Sequence, residues 1–188
     1  MSQVDQINRV IPPLNDRDHI RGSINAGVIL MEYGSYQCSQ SGQAYFTVRR
    51  LQHRLMDGAT KLEDNPLCFV FRHFPLSQIY SQAQKAAEVA EAAAAQGKFW
   101  QMHDTLFEHQ QTLDDAALVE YAIDLNLDIP QFLQELADHV HAERVEADIR
   151  SGQSNGVQGA PTFFIGIRHK GVQKLETILM AILESIAI

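Results

Sequence analysis

The sequence predicts a mixed α/β chain in which a block of helices interrupts a small sheet. Short runs rich in β-branched and aromatic residues, "GVILMEY" at 27–33, "CFVFRHF" at 68–74 and "PTFFIGI" at 161–167, read as strands with Gly or Pro at their borders. Between the second and third of these lies 77–150, dense in alanine and apolar at helical spacing. At 188 residues the chain is long enough for one compact core and short for two independent ones.

Residues 1–17, polar and carrying Pro12 and Pro13, read as a loose lead-in. After the 27–33 strand, Ala44, Tyr45, Val48, Leu51 and Leu55 recur at three and four, which predicts a helix from Ser39 to about Leu55. The 68–74 strand stops at Pro75. Five helical stretches follow. "SQIYSQAQKAAEVAEAAAAQG" closes at Gly97, a suitable C-terminal cap. "KFWQMHDTLFEHQ" sets Phe99, Met102, Leu106 and Phe107 on one face, and "LDDAALVEYAIDLNL" opens on acids that suit a helix N-terminus. "IPQFLQELADH" has Pro130 in its first turn, and "HAERVEADIRSG" closes at Gly152. A turn, a further strand near 168–172 and a terminal helix, "QKLETILMAILESI", follow the 161–167 strand. The expected organisation is a lead-in over 1–17, an α/β domain from 18–76 and 151–188, and an inserted helical domain over 77–150.

Apolar residues make up 45% of the chain, a normal globular share that argues against disorder. A formal net charge of −8 disfavours nucleic acid and anionic membrane surfaces as partners. The first residues lack a basic start followed by an apolar stretch, and no run reaches the roughly 18 apolar residues of a membrane span. Two cysteines are too few for a disulfide scaffold, so the expected compartment is a reducing cytoplasm.

Cys38 follows the first strand and opens the first helix. A thiol there meets unpaired backbone N–H groups and the positive end of the helix dipole, and both favour the thiolate. Such settings lower a cysteine from near 8.5 to roughly 3.5–7.5, and the thiolate is the nucleophile of disulfide exchange. A buried, inert cysteine is the other reading that context leaves open.

The stretches "EYGSYQC", "FVFRHFPL", "GKFWQMHDTLFEHQ" and "GVQGAPTFFI" occur in that order between Asp18 and Gly171. Together they resemble the DsbA-like branch of the thioredoxin superfamily. The resemblance implies a thioredoxin fold, βαβ then ββα, with an all-helical domain inserted between the halves. It implies that Cys38 is the attacking cysteine of a C-x-x-C motif. It also implies that Pro161 follows a cis peptide bond which presents the backbone of Ala160 to an extended substrate strand. Glu32 matches a partly buried acid that relays protons. The second cysteine of the motif is Ser41 here, the pair between is Ser39-Gln40, and Ser35 stands where the family has an acid. Ser41 can donate a hydrogen bond toward a Cys38 thiolate but cannot close an internal disulfide. In this fold Cys68 lies a strand length from Cys38, about five residues at 3.3 Å each. That exceeds the roughly 7 Å a disulfide spans, so Cys68 is expected in the core and unbridged.

Other candidates are weaker. His139 and His141 cannot share a helix face, and His103 and His109 diverge, so no metal site is expected. His73 ends a strand near the thiol edge and is either a plain histidine, packed or exposed, or one that polarises the thiol. Arg49, Arg50 and Arg54 read as a solvated face, and Phe99, Trp100 and Phe107 as the glue of the insertion. There is no phosphate loop, serine-triad elbow or zinc spacing.

The expected function is a monothiol thiol–disulfide oxidoreductase. Cys38 forms mixed disulfides, Ser41 and the helix mouth stabilise its thiolate, and an external thiol resolves the product. Its substrates are thiols or disulfides, protein or small molecule. It needs no cofactor, with glutathione as the available co-substrate. Two alternatives stand beside it: a non-catalytic peptide- or partner-binding module, and a glutathione-dependent transferase or isomerase. The sequence leaves the oligomeric state open.

Overall fold

The computed structural model describes residues 11–56 and 67–167. The strand expected near 168–172 and the terminal helix lie outside the described residues, as does most of the lead-in. Among the described residues there are four strands and six helices. They are β1 (His19–Arg21), β2 (Val28–Gly34), α1 (Ser39–Met56), β3 (Leu67–His73), α2 (Ala83–Ala95), α3 (Phe99–Glu108), α4 (Asp115–Asp124), α5 (Ile129–Ala137), α6 (Ala142–Ser154) and β4 (Thr162–Ile167). This is the α/β architecture of a thioredoxin-like fold interrupted by five helices. Among the described residues no helix is long and apolar enough to cross a membrane.

The strands form one sheet in the order β1-β3-β2-β4. Every residue of β2 and of β3 is buried, in keeping with their inner positions and nearly continuous apolar sequences. β1 runs antiparallel to β3, with Ile20 opposite Val70. This three-residue edge strand, half-exposed throughout, was not marked in the sequence, because "HIR" carries no apolar alternation.

The helices depart from expectation at two ends. The first inserted helix begins at Ala83, and residues 77–80 make turns in which the amides of Ile79 and Tyr80 both donate to the Leu76 carbonyl. The side chain of Gln37, far away in sequence, accepts from the Gln82 amide and supplies the start. At its other end α2 stops as predicted: Gly97 has φ +73, its amide donates to Ala94 O, and the Lys98 amide donates to Ala93 O. Gly152, read as a terminator, lies inside α6. Its lack of a side chain serves packing, since a Cβ there would stand 3.0 Å from the Phe74 ring and 3.1 Å from Tyr33. Asp114 and Asp128 cap α4 and α5 by accepting from Ala117 and Gln131 amides, and Pro130 sits in the first turn of α5.

The described chain divides into two compact units: 11–32, 43–56, 67–72 and 162–167 in one, 33–42 and 73–161 in the other. The first is built on Val28–Met31, Ala44, Tyr45, Val48, Leu51 and Leu67–Phe71, all buried. A buried charge pair joins Arg72 to Asp18 through Nε–Oδ1 at 2.7 Å and Nη2–Oδ2 at 2.9 Å, and Arg72 Nη2 also donates to Pro13 O at 2.7 Å. The second unit buries Tyr33, Tyr36, Phe99, Met102, Leu106, Phe107, Leu118, Phe132 and Val145 together with most of the alanines of α2.

Asp18→Ala leaves the Arg72 guanidinium charged and buried without its carboxylate. The expected loss is about 3–5 kcal/mol of unfolding free energy, read by urea titration, and adding Arg72→Met recovers part of it.

Candidate active site: the Cys38 loop

β2 ends at Gly34, whose carbonyl accepts from the Phe74 amide at 2.8 Å just past β3. The chain then turns: the Cys38 amide donates to Ser35 O at 3.1 Å. Cys38 precedes α1, and its carbonyl accepts the first helical bond, from Gly42, at 3.0 Å. The side chain of Cys38 therefore stands at the mouth of α1. Its Sγ–H donates to the carbonyl of Ala160 at 3.3 Å. The Ala160–Pro161 peptide bond is cis. Cys38 is 2% exposed.

Ser41, fully buried in the first turn of α1, accepts from the Ser35 amide at 3.2 Å. That bond takes one of the two lone pairs of its oxygen and leaves its hydroxyl hydrogen to donate. The Ser35 hydroxyl is buried with no hydrogen-bond partner. Glu32, in the other unit, is buried, and its Oε1 also has no hydrogen-bond partner. Desolvation raises the Glu32 carboxyl to about 8, so it holds its proton at neutral pH. Cys38 and Cys68 are not bridged, and Cys68 is buried in β3.

A shell of aromatic and polar groups from the helices surrounds the loop. The Tyr36 hydroxyl and His103 Nδ1 share a hydrogen bond at 3.1 Å, and the Tyr36 ring lies 4.8 Å from that of Phe107. His73, offered by the sequence as packed or as a thiol polariser, is packed. Its Nε2 bonds Glu91 at 2.8 Å and its amide donates to Asp148. Arg144 Nε lies 3.7 Å from Glu91 and its Nη1 2.5 Å from Asp148. Gln110, in the turn after α3, donates through Nε2 to Tyr36 O at 2.6 Å and to Cys38 O at 3.0 Å.

The structure thus brings Cys38, Ser41, Ala160 and Pro161 into one unit, with Glu32 in the other. Sequence reasoning weighed His103 only as a metal ligand and passed over Tyr36 and Gln110. One signal marks two of them: His103, Phe107 and Gln110 are spaced i, i+4, i+7, a single stripe on α3 that continues into the following turn.

The model of the DSBA-like thioredoxin domain matches residues 29–183, a span that includes Cys38, all five inserted helices and Pro161. The chain belongs to this family. Solved structures of similar fold include oxidised BdbD from Bacillus subtilis, at TM-score 0.69 and 19% identity over 91% of this chain and 94% of that one. Alpha-DsbA1 from Wolbachia pipientis superposes at TM-score 0.70 and 20% identity, covering 96% of each chain. A thioredoxin-like oxidoreductase from Silicibacter pomeroyi does so at 0.66 and 20%, over 100% and 99%. At these identities the likeness is one of DsbA-like fold. Curated relatives include the Na(+)/H(+) antiporter NhaA 3 of Salinispora tropica, 41% identical over 96% of this chain. The antiporter NhaA of Herminiimonas arsenicoxydans is 34% identical over 93%. This DsbA-like chain spans only 26% of the length of either relative.

Glu32 makes stability depend on pH with a definite sign. An unfolded glutamate loses its proton near 4.3, while the folded one keeps it to about 8. Across that window the unfolded chain binds fewer protons, so stability falls as pH rises, by about 1.4 kcal/mol per unit, and levels off above it. Glu32→Gln removes this fall. The variant's unfolding free energy, measured by denaturant titration, is expected to exceed the parent's by a few kcal/mol more at about pH 8 than at about pH 5.

Proposed function

We propose that this DsbA-like chain is a thiol–disulfide oxidoreductase that works with one sulfur. The observation that carries the reading is the place of Cys38: at the mouth of α1, with Sγ 3.3 Å from the backbone of Ala160. The Cys38 thiolate attacks one sulfur of a substrate disulfide. That S–S bond breaks as the bond to Cys38 forms, and the displaced sulfur leaves as a thiolate and takes up a proton. Ser41 carries no sulfur, so an outside thiol of the glutathione class attacks the mixed disulfide and returns Cys38 as thiolate. The net reaction exchanges partners between disulfides and consumes no separate oxidant. Ala160 and Pro161 hold the substrate backbone beside the sulfur, and Glu32 stores a proton that it gives up near pH 8. The external thiol pool this cycle needs is that of a reducing cytoplasm.

The burial of Cys38 favours a second reading, in which the loop and Ala160–Pro161 bind an extended peptide and no sulfur is exchanged. Incubation with oxidised glutathione followed by peptide-mapped mass spectrometry separates the two. The oxidoreductase reading expects one glutathione on Cys38, none on Cys68 and none in Cys38→Ser. An unmodified Cys38 leaves the binding module standing alone. Ser41→Cys is expected to convert the site to a dithiol that closes an internal disulfide, counted by thiol titration before and after oxidation.

A further inference from the structure

We propose that Gln110 is a positioning residue for the Cys38 sulfur. The inference deepens the oxidoreductase reading and rests on it. Gln110 lies 72 residues from Cys38, yet one amide nitrogen donates to the carbonyls on both sides of Gln37. Only the Nε2 end of a glutamine side chain carries hydrogens, so two carbonyl contacts fix which way the amide faces. The Cys38 carbonyl then accepts twice, from the Gly42 amide inside α1 and from Gln110 outside it. The first bond starts the helix; the second ties that start to the turn after α3.

Gly42 is the other half of the arrangement. A Cβ at Gly42 would stand 1.9 Å from Gln110 Oε1, 2.6 Å from its Cδ and 3.0 Å from its Nε2. A glycine inside a helix lowers helix propensity, and here it leaves the space the Gln110 amide fills. The rest of the α3 stripe braces the same loop: His103 bonds the Tyr36 hydroxyl and Phe107 packs on the Tyr36 ring. On the far side Gln37 is held by the Gln82 amide. Gln110 thus fixes the backbone from which the thiol reaches Ala160 O, and a fixed nucleophile is what an attack along the S–S axis of a disulfide demands.

Gln110→Ala removes the donor. Gly42→Ala leaves the donor in the chain and pushes it aside, and because the obstructed atoms end a flexible side chain the variant retains a route to fold. Two rates at Cys38 are measured in each variant and in the pair together: mixed-disulfide formation with oxidised glutathione, and alkylation by iodoacetamide, both mapped by mass. Loss of positioning is expected to slow exchange by about tenfold or more while an unpinned loop alkylates faster. The double variant is expected to be no slower in exchange than the worse single one, because both changes break the same contact. Equal rates in parent and variants, within about twofold, overturn the proposal, and so do two rates that rise together, which is the mark of simple loosening. If the parent forms no glutathione adduct, it is the oxidoreductase reading that falls. Alkylation then tests only whether the Gln110 contact holds the loop: acceleration in both single variants upholds that contact, and equality ends it.

Discussion

The S–H···O bond from Cys38 to Ala160 joins stretches of chain 122 residues apart, and the local structure is arranged around keeping its two ends in register. One end is set by the start of α1, where the Cys38 carbonyl takes the first helical hydrogen bond. The other is set by the chain just before β4, at Ala160 and Pro161. Neither end is held by the sheet alone. The loop between β2 and α1 gains its fixed shape from Gln37 on Gln82, Gln110 on two carbonyls, and Tyr36 against His103 and Phe107.

The interior on this side is polar for a reason. A loop that turns from a buried strand into a helix carries amides and carbonyls that water does not reach, and each needs a partner. Side chains of the inserted helices supply them. Asp148 takes the His73 amide, Glu91 takes its imidazole, and Arg144 stands beside both carboxylates. Glu32 and Ser35 each keep a buried oxygen with no hydrogen-bond partner. An orphaned carboxyl oxygen is costly unless the group is neutral, which is why Glu32 holds its proton so far above the usual carboxylate range.

Much of this was legible in the residues. Apolar runs of strand length gave β2, β3 and β4 to within a residue or so, and alanine density, acidic first turns and Gly97 gave the inserted helices. What escaped had no local signal. β1 is a three-residue edge whose partner lies some fifty residues on, and "HIR" has no period to detect. The start of α2 depends on a glutamine in another loop. Gly152 looks like a terminator until Phe74 and Tyr33 are seen against it. At the site, Cys38 could be picked out because a thiol at a helix start has its own chemistry. Gln110 falls on the stripe of His103 and Phe107, but a stripe marks only a shared face, and the two carbonyls its amide reaches appear only in the fold.

The first turn of α1 is grouped with the inserted helices, while the remainder of that helix belongs with the sheet. Cys38 therefore falls in the same unit as the inserted helices. Whoever tries to pare this protein down to a minimal sheet with flanking helices, discarding 73–161 as decoration, would take away Gln82, His103, Phe107, Gln110 and Ala160 at a stroke. The sulfur would survive in the shortened sequence, left with the bonds of its own turn and without the side chains and the carbonyl that meet it from the insertion.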